Sequence, residues 1–199
     1  MKCSENRNSG GFTLIELLVS MGIGMVVLAA ATTTFMSQTR FYSAQEQVNE
    51  MEQNARGALD LITRELKLAG YRPTGMTLTG VTYSSTQLRI QADLNGNGVI
   101  TPVGTEPNEI ITYAFDNTNR QITRQDGTAT AQVLADNITA FTLSYLDSNG
   151  DSTEVTADIR QVSISITATT AKPDPNYTAD GGYRTYIVSA TVTPLNLAL

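Results

Sequence analysis

The residues of this chain able to do chemistry are oxygen ligands and acids, because it has no histidine and a single cysteine, Cys3. No Ser-His or Cys-His nucleophile can be built from that inventory, and general acid–base work would need a pair of perturbed carboxylates that spacing alone does not supply. Two placements of oxygen-bearing side chains stand out. One is Glu16, set inside the opening of an apolar run that starts after Gly11 and continues to about Met36. The other is Asp93-Leu94-Asn95-Gly96-Asn97-Gly98-Val99-Ile100, which matches the first eight positions of a calcium loop: oxygens at one, three and five, glycine at six, an aliphatic at eight.

A charge in the hydrocarbon region costs about 2.5–3.5 kcal/mol on insertion scales, so an acid there is functional by default and needs a partner. The run is long enough to span a bilayer, for which about 20 apolar residues suffice. Lys2 and Arg7 precede it and keep that end in the cytoplasm, which carries the bulk of the chain across. An ordinary secretory signal cut near Ala29-Ala30-Ala31 and a plain signal anchor are the simpler readings. Glu16, and the continuation of the helical pattern beyond the span, count against both.

The calcium reading of the second placement, with Asp93, Asn95 and Asn97 as ligands, is incomplete. Gly104 stands at the twelfth position, where a bidentate glutamate belongs, and Glu106 or Glu109 substitutes only in an irregular loop. Asp147-Ser148-Asn149-Gly150-Asp151-Ser152 repeats the alternation of oxygens, but a turn explains it without an ion.

Gly11-Phe12-Thr13-Leu14-Ile15-Glu16-Leu17-Leu18 resembles the type III signal sequence of type IV pilins and type II secretion pseudopilins. The resemblance implies that a prepilin peptidase cuts between Gly11 and Phe12 on the cytoplasmic face and that the new amine of Phe12 is methylated. It also makes Glu16 the retained glutamate that meets the Phe12 amine of a neighbouring subunit during assembly. Asn54 to Pro73 resembles the narrower group of PilW-type minor pilins. The implied partners are other pilin subunits, the peptidase and the inner membrane. The implied route runs from the inner membrane through the periplasm to a pilus at the cell surface. A J-class secretion pseudopilin and a pilus-anchored, calcium-dependent adhesin are the alternatives. Many major pilins staple their C-terminal region with a disulfide. Removal of residues 1–11 would take away Cys3 and leave none possible, which favours a minor subunit.

The elements that must position these residues follow from periodicity. Val48, Met51, Ala55, Leu59, Ile62, Leu66 and Ala69 recur at three- and four-residue steps, the mark of an amphipathic helix, which Gly70 and Pro73 stop. Arg64, Glu65 and Lys67 read as its solvated face. Alternating runs at 87–92, 109–115, 121–124, 140–146, 160–166 and 183–192 predict antiparallel strands with one face on the helix and the other wet. The polar stretch 171–182 reads as a solvated connector. The fold class is therefore α+β, the ladle plan of pilins: leader 1–11, transmembrane helix 12–36, amphipathic helix 37–70 and β domain 71–199. The chain has 13 basic against 19 acidic residues. Such an acidic balance disfavours binding to nucleic acid, for which a basic patch or stripe is the footprint.

Overall fold

The computed structural model describes residues 11–73, 75, 77–100 and 109–197. The leader up to residue 10, with Cys3, and the positions Gly104 and Glu106 lie outside them. The chain divides into two compact units, one ending at Gln45 and the other Glu46–Leu199.

A helix, α1, runs from Leu14 to Leu66. Thr32, Thr33 and Thr34 do not interrupt it, because each hydroxyl donates to a carbonyl three or four residues back, at 2.9–3.0 Å, and so spends its bonding capacity inside the helix. The helix ends before Gly70. The N–H groups of Leu68 and Ala69 bond three residues back, a tightened last turn, and the Gly70 N–H leaves the helix for the Gln91 carbonyl at 2.9 Å. Gly70 has φ +76°, and a Cβ on Gly80 would fall 2.3 Å from the Gly70 nitrogen. Both positions need glycine, one for its backbone region and one for the close approach.

From Met51 onward one stripe of α1 is buried: Met51, Ala55, Ala58, Leu59, Ile62 and Leu66. The stripe is the one the spacing predicts, with Ala58 added. It packs against two antiparallel sheets. The first has the order β1 (Val81–Thr82), β2 (Gln87–Gln91), β3 (Ile110–Asp116), β4 (Gln121–Asp126) and β5 (Gln132–Ala135). The second consists of β6 (Ile138–Leu146), β7 (Gln161–Thr169) and β8 (Thr185–Val192).

The alternating runs correspond to β2, β3, β4, β6, β7 and β8. β1 and β5 lie outside these runs: one is two residues long and the other has a bulge at Leu134 in its pairing with β4. The chain passes from the first sheet to the second at Asn137, whose φ of 56° makes the corner; Asn tolerates that region better than most residues. One core serves both sheets, with Leu88, Tyr113 and Ile122 from the first and Ile138, Val162, Ile164 and Ile166 from the second all at 0% exposure. Each such side chain contributes about 1.5–3 kcal/mol by leaving water.

Candidate functional site

The start of α1 is held by two residues, Thr13 and Glu16. Thr13 Oγ1 accepts the Glu16 N–H at 3.3 Å, and the Glu16 carboxylate accepts both the Thr13 N–H at 3.2 Å and its hydroxyl at 3.1 Å. This reciprocal arrangement is a capping box, Thr-x-x-Glu, and it satisfies donors that the first helical turn leaves orphaned. Within a single chain Glu16 is thus occupied by its own helix start. Thr13 is the residue that sequence reasoning passed over, although the Thr-x-x-Glu spacing was there to be read. Phe12 precedes the cap and is 84% exposed. Beyond it the apolar side chains from Leu14 to Met36 are exposed along the whole run. The helix that carries them is long and apolar enough to cross a membrane.

The loop at Asp93 is a self-held turn. Asp93 is fully buried, and its two carboxylate oxygens accept the N–H groups of Gly96 at 2.8 Å and Gly98 at 3.1 Å. Asn95 accepts the Asn97 N–H and Asn97 accepts the Val99 N–H, at 2.9 and 2.7 Å. The oxygens at positions one, three and five therefore each cap a loop amide, which accounts for the alternation by turn chemistry. A calcium ion takes six to eight oxygens. Among the described residues no group of three or more His, Cys, Asp or Glu is placed to hold a metal ion. The second turn works the same way, with Asp147 accepting the N–H groups of Asn149 and Asp151 at 2.8 and 3.0 Å. These bonds to the Asp151 and Asn149 amides hold its carboxyl below the usual range.

Glu65 departs from expectation. It does not face solvent: it accepts a hydrogen bond from the Tyr113 hydroxyl and is gripped by Arg124 through Nε at 3.1 Å and Nη2 at 2.8 Å. The Glu65 side chain is 17% exposed and that of Arg124 24%. Burial, and then the Glu65 carboxylate, push the Tyr113 hydroxyl far above its ordinary value, so it remains a donor. Arg64, by contrast, is a surface residue paired with Asp60. The 171–182 connector is likewise anchored. Asp174 is 7% exposed, its Oδ2 takes the Arg184 guanidinium at 2.9 Å, and that guanidinium lies over the Tyr177 ring.

Comparison with known proteins bears on both parts of the chain. Residues 6–32 match the prokaryotic N-terminal methylation motif. Residues 44–188, well over half of the chain, match the family described as prepilin peptidase-dependent protein B. The chain belongs to that family, within the type IV pilins. Pilin-like protein PilA3 of Thermus thermophilus is 36% identical to this pilin over 62 residues, which are 31% of this chain and 27% of that protein. The match thus spans about a quarter of that relative. A solved type IV-like pilin from the same organism superposes with a TM-score of 0.50 at 16% identity, over 74% of this chain and 98% of that one. That likeness shows the fold: a long N-terminal helix packed against antiparallel sheets. Pilin-family proteins are structural subunits, and the signal and apolar helix of this one are consistent with membrane anchoring.

Proposed function

We propose that this pilin is a minor subunit of a type IV pilus, of PilW type, and acts in pilus assembly rather than in catalysis. A prepilin peptidase cuts it between Gly11 and Phe12, and the Phe12 amine is methylated. The observation that carries the reading is Glu16, an acid held at the very start of an apolar, membrane-length helix by its own Thr13. In a filament the Phe12 amine of a neighbour takes over that carboxylate, and the exposed apolar side chains of residues 14–36 become the packed core. Removing one member of a buried ion pair costs about 3–5 kcal/mol, so the pair selects the axial register of an entering subunit. The partners are other pilin subunits, the peptidase and the inner membrane.

Intact mass of the chain from membranes and from sheared surface filaments tests this, with wild type beside Glu16→Ala. The expected result is a mass beginning at methylated Phe12 in both fractions for wild type, and loss from the filament fraction for Glu16→Ala. A mass beginning at Thr32 would overturn the reading, and equal incorporation of Glu16→Ala would remove Glu16 from it.

A further inference from the structure

Two arginines of this chain, whose net charge is −6, line one cleft. It lies between Arg72, just beyond the end of α1, the approach to β1 at 78–81, the turn 156–160 that leads into β7, and Asn196 with Leu197. Hydrogen bonds fix its walls. The Gly80 carbonyl accepts the Gln91 N–H at 2.8 Å, and Thr156 Oγ1 accepts the Tyr83 N–H at 3.1 Å. The Arg160 N–H bonds to the Leu146 carbonyl at 2.8 Å, and the Leu197 N–H to that of Pro194 at 3.2 Å. The cleft is thus preformed. Among the described residues no acid lines it; Asp158 belongs to the same turn but stands outside the lining.

Arg160 is held by its own turn. Its Nη1 donates to the carbonyls of Ala157 at 2.8 Å and Ile159 at 2.9 Å, while Nε and Nη2 donate to none of the described residues. The exposed Arg72 side chain makes no hydrogen bond or ion pair with a described residue either. Other arginines of this molecule show what such an edge takes. Arg124 meets Glu65, and Arg184 meets Asp174, each through Nε and Nη2 at 2.8–3.2 Å. The planar fork of a guanidinium matches the geometry of a carboxylate.

Size narrows the ligand further. The cleft has a volume of about 200 Å³, below the roughly 300–1,000 Å³ of pockets that enclose whole ligands. It suits the end of one side chain presented by a larger molecule. We propose that this cleft binds an acidic peptide segment of another protein chain. A glutamate or aspartate carboxylate sits on the Nε–Nη2 edge of Arg160 with the Arg72 guanidinium as second cation, and Thr79 and Asn196 serve the peptide's own amides. The proposal does not depend on the assembly reading above.

Titration of the full-length chain in non-ionic detergent micelles tests it. The probes are end-blocked Gly-Glu-Gly and Gly-Gln-Gly peptides, acetate and inorganic phosphate, compared at equal ionic strength. The glutamate peptide should shift the side-chain Nε–H resonances of Arg160 and Arg72 saturably, and the glutamine peptide should leave them in place. Arg160→Lys keeps the charge but loses the fork, and should weaken binding about tenfold. Arg72→Gln removes a cation that bonds to nothing in the described fold, and should weaken binding about threefold with melting unchanged. No saturable shift, or the same shift with both peptides, would overturn the proposal. Tighter binding of phosphate would overturn the carboxylate as its ligand. Acetate binding as tightly as the glutamate peptide would overturn the peptide, leaving a site for free acids. Binding unchanged in both variants would place the peptide elsewhere and overturn the site.

Discussion

The five-stranded sheet holds Arg89, Asp116, Arg124 and Asp126 within its strands, whereas the three-stranded sheet has no charged residue in any of its own. Both cover the same buried stripe of α1. The first is additionally fastened to the end of the helix by a directional polar contact, Glu65 with Tyr113 and Arg124. The second is held by burial of Val162, Ile164, Ile166 and Val192, with Tyr186 receiving the Arg56 guanidinium at its rim. A directional contact fixes register, and burial fixes proximity. The sheet whose strands carry charge is thus the one tied to the helix by a buried polar cluster, and the sheet whose strands lack charge relies on its apolar face.

If the first sheet depends on that contact, breaking it should have the largest effect. Arg124→Met leaves Glu65 buried with only a tyrosine, and should cost about 3 kcal/mol in urea unfolding, the low end for a broken buried pair because both side chains keep some exposure. Adding Glu65→Leu should restore only part of the loss, because Asp126, the other carboxylate paired with Arg124, and the buried Tyr113 hydroxyl remain without their partners. Ile164→Val in the second sheet should cost about 1 kcal/mol, with no dependence on salt. A cost for Arg124→Met no larger than that of Ile164→Val would erase the distinction between the sheets.

Much of this was legible in the sequence, and unevenly so. The apolar stripe of α1 and six strands follow from periodicity, because burial on one face imposes a period of 3.6 or 2 on residue type. The split into two sheets does not, since Asp136-Asn137 signals only a turn by residue type, and whether the chain there stays in one sheet or passes to another depends on the whole fold. Glu65 departs from the solvated face because its charged neighbours in sequence say nothing of Tyr113 and Arg124, distant in the chain, which only the fold brings to it. Thr13 is the opposite case: its capping partner is three residues away, so the Thr-x-x-Glu spacing is legible without the fold. The N-terminal methylation motif over residues 6–32 is legible as a local pattern, which depends on sequence more than on fold.

Tyr145 joins the two sheets and allows a test at intermediate scale. It lies on β6, is 3% exposed, and donates its hydroxyl toward the carbonyls of Ser84, at 2.9 Å, and Gln87, at 3.3 Å, beside β2. Burial pushes its hydroxyl up to about 12. An acid whose folded pKa is raised stabilises the fold fully below its unfolded value, about 10, and that stability is lost as pH climbs from there through 12. The loss attributable to Tyr145 should reach about 2–3 kcal/mol at pH 12. Tyr145→Phe, which costs about 1 kcal/mol at neutral pH, should unfold less steeply with alkali. Equal alkaline slopes for the two proteins would show that this residue does not link the sheets.

The smallest effect concerns where the charges of the second sheet are kept. They lie in its connections, and Asp174 in the segment before β8 is the buried one. Its carboxyl is held below the ordinary range by the Asn176 N–H and then by the Arg184 guanidinium. A depressed folded pKa gives stability that is present above the unfolded value, about 3.9, and is lost as pH falls through the folded one. Wild type should therefore lose melting temperature below about pH 4 faster than Asp174→Asn does, once the two are compared at equal ionic strength. The first signals to broaden should be those of residues 174–184, with β7 and β8 intact, because no strand of that sheet contains a group that titrates in acid. If the β7 and β8 ladder opened together with the connection, the sheet would be held by its loops rather than by its buried face, and the contrast with the five-stranded sheet would have to be redrawn.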